Sequence, residues 1–71
     1  MILLTALNSK NFYLNPDLIY RMDETPDTTI TLTDGKTIVV REPAEVVVTK
    51  ILAYRQAIYR EMLQAVKKLE E

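Results

Sequence analysis

The side chains that could do chemistry in this 71-residue chain are carboxylates, lysines, arginines and tyrosines, because histidine and cysteine are both absent. Their absence excludes disulfides, thiolate and imidazole metal ligands, and Ser-His or Cys-His nucleophile pairs together. With a single glycine there is no glycine-rich phosphate loop either. Asp23, Glu24 and Asp27 cluster around Pro26, but a hard-cation or acid–base site needs further ligands or a partner that shifts an acidity. The spacing reads as a solvated turn. Lys10, Lys36 and Arg41 could form a small RNA-binding face, yet the same charges at turns and strand ends serve to keep strand edges soluble, which is the simpler reading. No catalytic residue, metal or cofactor is expected, and the chain reads as a non-enzyme. What remains is binding by contact. Tyr54, Arg55, Tyr59 and Arg60 recur along one segment, and tyrosine and arginine are frequent anchors of protein interfaces.

The elements that must position these residues divide the chain in two. Residues 1–42 are short apolar runs separated by turn residues, whereas 44–71 contain no glycine or proline and are rich in Ala, Leu, Val, Lys, Glu and Gln. The first half reads as strands and the second as one helix. The expectation is an α+β single domain over 1–71, with an antiparallel β-hairpin body of about five short strands (1–42) and a C-terminal helix (43–71). Thr28–Thr33 alternates, and a three-residue loop, Thr33-Asp34-Gly35, with Gly35 left-handed, gathers Ile30, Leu32, Ile38 and Val40 on one face. A first hairpin is expected to turn at Asn8-Ser9-Lys10 with a two-residue loop. That register sets Leu3, Thr5 and Leu7 beside Phe12 and Leu14, and leaves Ile2 and Leu4 with Tyr13 on a second apolar face that must meet the helix or another chain. Asn15-Pro16-Asp17-Leu18 reads as a turn, and Ile19–Glu24 as a third strand ended by Thr25-Pro26-Asp27. A likeness between the Leu7–Phe12 and Leu32–Ile38 stretches reads as two hairpins built by the same rules.

Glu42-Pro43-Ala44-Glu45 opens the helix, since proline is tolerated in the first turn and acidic groups favour its positive end. In a heptad frame Val48, Arg55, Met62 and Leu69 share one seam position, and Ile51, Ile58 and Ala65 the other. Arg55 interrupts the seam, and Leu52, Tyr59 and Val66 widen it, which suits a sheet or a bundle better than a two-stranded coiled coil. A helix from about 44 to 70 is roughly 40 Å long, whereas a short strand spans only ~17–20 Å. The helix therefore outruns its sheet while still carrying Ile58, Tyr59, Met62, Leu63, Val66 and Leu69, too much apolar surface to leave in water. A chain of this size has a marginal core, so a homo-oligomer is expected, with Tyr54, Ile58, Tyr59, Met62, Leu63, Val66, Leu69, Ile2 and Leu4 as candidate interface residues.

Net charge is −1, so no overall field gathers nucleic acid or acidic lipid. The opening Met-Ile-Leu-Leu-Thr has no basic leader and no run approaches the ~20 residues of a membrane span. The expected location is the cytoplasm, with no membrane insertion.

Leu7-Asn8-x-Lys10-x-Phe12-x-Leu14-Asn15-Pro16-Asp17-Leu18-Ile19, followed by Glu24-Thr25-Pro26-Asp27-Thr28-x-Ile30-Thr31-Leu32-x-x-Gly35-Lys36, resembles the FlbD (SwrD) family of small flagellar and swarming motility proteins. The likeness continues through Ile38-Val39-Val40-x-Glu42 and Val46-Val47-x-x-Lys50-Ile51, about residues 1–60. It departs at Ser9, where the family usually has glycine, which implies a looser or differently typed first turn. The resemblance implies a bacterial flagellar role, support of the power of the motor, a partner in the motor or basal body at the inner membrane face, and no enzymatic activity. A weaker resemblance, to the CsrA family of RNA-binding regulators, rests on Met1-Ile2-Leu3-Leu4-Thr5 and a shared order of strands and helix. Those chains continue with arginine where Ala6 stands here.

Overall fold

The computed structural model describes residues 1–70. Its elements are β1 (Ile2–Thr5), β2 (Asn11–Leu14), a 3-10 turn (Pro16–Leu18), β3 (Ile19–Glu24), β4 (Thr28–Leu32), β5 (Thr37–Val40) and α1 (Ala44–Glu70). β1 and β2 form one antiparallel sheet, and β3-β4-β5 form another in sequence order. A single antiparallel bridge, Ala6 to Val40, and the Arg41 N–H donating to the Thr5 carbonyl (2.8 Å) join the two sheets at one corner. The chain is α+β as the sequence patterns imply, with five strands and a 27-residue helix.

The second hairpin has the expected register. Ile30 faces Ile38, Thr28 faces Val40, and Leu32 N–H donates to Lys36 O across a loop in which Gly35 sits at φ +89°. The first hairpin does not. Ile2 faces Leu14 and Leu4 faces Phe12, one residue away from the expected pairing, so every side chain of β1 changes face. The cause is the loop. Leu7-Asn8-Ser9 is a three-residue connection closed by Ala6 N–H to Lys10 O (2.9 Å) and Ser9 N–H to Ala6 O (2.9 Å), with Ser9 left-handed at φ +68°. Asn8 and Asp34 play the same part, accepting from the N–H of Lys10 (3.1 Å) and Lys36 (3.0 Å). The two turns are thus of one type, and Ser9 occupies the position that Gly35 fills in the other.

With that register Ile2 (4% exposed) and Leu4 (0%) belong to the core with Leu14, Ile30, Val40 and Val47. They are unavailable to a partner. The outward pair is Leu3 and Tyr13, the latter 70% exposed. Phe12, Ile19, Met22, Leu32, Ile38, Ile51 and Tyr54 complete the core from its margin.

α1 lies on β1 and β3. It presents Val47, Ile51 and Tyr54, which repeat at helical spacing, and after Tyr54 every residue to Leu69 is exposed. The molecule is 51 Å long and 23 × 19 Å across, with a radius of gyration of 14.9 Å. A compact chain of this length would have about 11 Å; the excess is the helical overhang. Among the described residues no helix is long and apolar enough to cross a membrane.

Candidate functional site

Three of the charged residues, Glu24, Glu42 and Lys50, are used in holding α1 to the sheets. Glu42 lies in the β5–α1 connection, where its carboxylate accepts from both the N–H (Oε1, 2.9 Å) and the hydroxyl (Oε2, 2.9 Å) of Thr5. Its own carbonyl accepts from the Thr28 hydroxyl at 2.7 Å. One residue thereby ties β1, β4 and the helix entry together. Burial pushes the Glu42 carboxyl up, but the two Thr5 donors, its own amide and the charge of Lys50 outweigh this and hold it below the ordinary value. Lys50 in turn donates from Nζ to the Leu3 carbonyl (2.9 Å), pinning the second turn of α1 to β1.

Of the acidic cluster, Glu24 takes on a similar task. Glu24 Oε1 accepts from the Ala44 N–H (3.0 Å), supplying from β3 the cap that the first turn of α1 lacks. Asp23 pairs with Arg21 at 3.0 Å. Of the cations considered for RNA, Arg41 donates to the Leu7 carbonyl and Lys36 lies 3.9 Å from Asp34. Asn15 caps the 3-10 turn, accepting from the Asp17 N–H (3.0 Å), with Pro16 buried beneath. The motif residues Glu24, Thr28, Glu42, Val47 and Lys50 therefore form a joint between sheet and helix. The Glu42–Thr5 contact spans residues 37 apart and carries no local signal in the sequence.

The candidate interface residues divide accordingly. Tyr54 is half-buried against the core, whereas Ile58, Tyr59, Met62, Leu63, Val66 and Leu69 lie together on the overhang, with Met62 61% and Leu69 88% exposed. Where the overhang leaves the body, Tyr54, Arg55, Ile58, Tyr59, Met62 and Asp17 line an open groove of about 340 Å³. The Arg55 guanidinium stands 3.8 Å from the Asp17 carboxylate at its rim. The groove follows the apolar seam of the helix, so it can receive ridged apolar side chains. The outward sheet residues Leu3, Tyr13 and Tyr20 are exposed apolar surface that the sequence patterns had not singled out. A left-handed Ser9 in the first turn was the missing clue for the first two.

A family model described as FlbD, flagellar and swarming motility proteins, matches residues 1–59. This stretch covers both sheets, the joint and α1 through Tyr59; Met62, Leu63, Val66 and Leu69 lie beyond it. No curated protein and no solved structure matches the chain. With the match extending over most of its length, the chain belongs to the FlbD family of flagellar and swarming motility proteins.

Proposed function

We propose that this chain is a non-enzymatic accessory of flagellar motility that works by protein contact, using the exposed half of α1. The observation that carries the reading is the contrast along that helix. In its first turns Val47 is buried and Ile51 and Tyr54 pack on the core, while the apolar stripe from Ile58 to Leu69 is exposed throughout. Stripes of this kind, at helical spacing with cations alongside, are covered in use by another helix or a groove. Family membership gives the setting, motility. Within it, the chain self-associates through the overhang and engages a component of the flagellar motor or basal body at the cytoplasmic face of the inner membrane, supporting motor power. The missing histidine and cysteine and the engaged carboxylates favour a contact mechanism over catalysis.

The experiment is deletion of the gene in its flagellated host, with complementation by the wild-type chain and by Ile58→Asp/Met62→Asp. Loss of swarming and reduced motor torque on deletion, restored by the wild type alone, is the expected outcome. Full rescue by the double variant would remove the role assigned to the overhang.

A further inference from the structure

The overhang carries enough pattern to say how a second copy would lie on it. The sheet covers Val47, Ile51 and Tyr54, one edge of the heptad stripe, and stops there. Downstream, the same stripe continues as Ile58, Met62, Ala65 and Leu69, flanked on one side by Glu61 and Lys68 and on the other by Tyr59 and Val66. Resting on the reading that this chain works by protein contact, we propose that two copies pair antiparallel through this segment. In that pair Leu69 of each sits in the groove beside Ile58 of the other, and Met62 meets Ala65.

Three features select this arrangement over other ways of joining the same surfaces. A parallel pair places Arg55 opposite Arg55 within the seam and offers Glu61 no cation. An antiparallel pair shifted by one heptad toward the sheets sets Glu61 against Glu61. In the register proposed, Glu61 flanks Lys68 of the second copy twice over, once on each side of the two-fold axis, and Tyr59 covers Val66 in the same way. The geometry also fits the body. Glu70 of one helix falls beside Ala57 of the other, past the point where the sheet releases α1 at Tyr54, so the sheets of the two copies stand at opposite ends without collision. Leu69, the most exposed large apolar residue of the described chain, acquires a seat in the concavity formed by Ile58, Tyr59 and Met62. An overlap of 57–70 is about 20 Å long. Interfaces of that extent lie at the small end of the specific range, where weak, reversible association is common.

Because the chain has no cysteine, disulfide trapping reports the geometry directly. In the proposed pair the two copies of residue 58 are about 16 Å apart along the axis, whereas residues 58 and 69 are in one layer. Mixing Ile58→Cys with Leu69→Cys chains under mild oxidation is expected to give the mixed dimer, with little Ile58→Cys self-dimer. Sedimentation of the cysteine-free chain is expected to show dimerisation, with Glu61→Lys or Lys68→Glu each raising the dissociation constant about fivefold or more. Combining the two is expected to restore it to within about twofold. Dominant Ile58→Cys self-crosslinking, failure of the double swap to restore pairing, or a monomer at all concentrations up to about 1 mM would each overturn the proposal. A monomer whose motility function still depends on Ile58 and Met62 overturns the pair while leaving the protein-contact reading in place.

Discussion

The two halves of α1 follow the same local rules and differ in what lies beside them. Both lack glycine and proline, both carry apolar residues at helical spacing, and both are continuous helix. Up to Tyr54 one edge of that spacing, Val47, Ile51 and Tyr54, is matched by a sheet, with a carboxylate cap from Glu24 and the polar joint of Thr5, Glu42, Thr28 and Lys50. The expected seam residues Val48 and Leu52 stay exposed. Beyond Tyr54, the same pattern continues with no partner in the chain. The lesson is that helical periodicity specifies a face to be covered without specifying the cover. In the proximal half the cover is the fold; in the distal half we assign it to a partner.

The comparison breaks first at its strongest point. Val47 is fully buried where α1 meets the sheets, so Val47→Asp is expected to unfold the chain, at a cost exceeding about 4 kcal/mol. Urea titration followed by circular dichroism would show it. A cooperative transition near the wild-type midpoint would mean that the proximal half is not docked as described.

The next largest effect belongs to the joint. Glu42→Gln leaves Thr5 one neutral acceptor in place of two charge-assisted ones and should cost about 1–2 kcal/mol. The wild-type carboxyl is held below its ordinary value in the folded chain, so its contribution is present above the unfolded-state value and is lost as pH falls through the folded one. The urea midpoint of the wild type should therefore fall more steeply than that of Glu42→Gln as pH drops below about 5. Parallel pH profiles would remove the charge from the account of the joint.

Much of this division is legible in the sequence, for reasons that particular residues make clear. The second hairpin can be read because Gly35 marks the left-handed position and threonines alternate strictly with Ile30 and Leu32. The first cannot be read the same way. Ser9 takes the left-handed position without announcing it, and β1 is apolar on both faces, so hydrophobicity alone does not choose between Ile2 with Leu4 and Leu3 with Thr5. That ambiguity is why Ile2 and Leu4 read as interface residues and prove to be core. The overhang follows from helix length against strand length. Glu42 escapes the sequence altogether, since its position suggests a helix-start acid and only the fold brings Thr5 to it.

Two smaller effects sharpen the same points. Ser9→Gly relieves a left-handed non-glycine residue and should stabilise the chain by about 0.5 kcal/mol, net of the added freedom of the unfolded chain. Gly35→Ala should lose about 1 kcal/mol by backbone strain alone, because an added Cβ there would meet nothing within 4 Å. Thermal melts of both variants would test whether the two turns are equivalent, as opposite shifts require. In dilute solution, Leu69→Ser should change stability by less than about 0.5 kcal/mol, since Leu69 touches nothing in the chain that would register its loss.

The most direct test pairs stability with motility in one variant, Ile58→Asp/Met62→Asp. The purified double variant should keep the unfolding midpoint of the dilute wild-type chain, while the host expressing it at wild-type level should lose swarming to the extent of the deletion. A variant that swarms normally, or one that fails only because the chain no longer folds, would contradict the claim that the far half of this helix is where the protein acts.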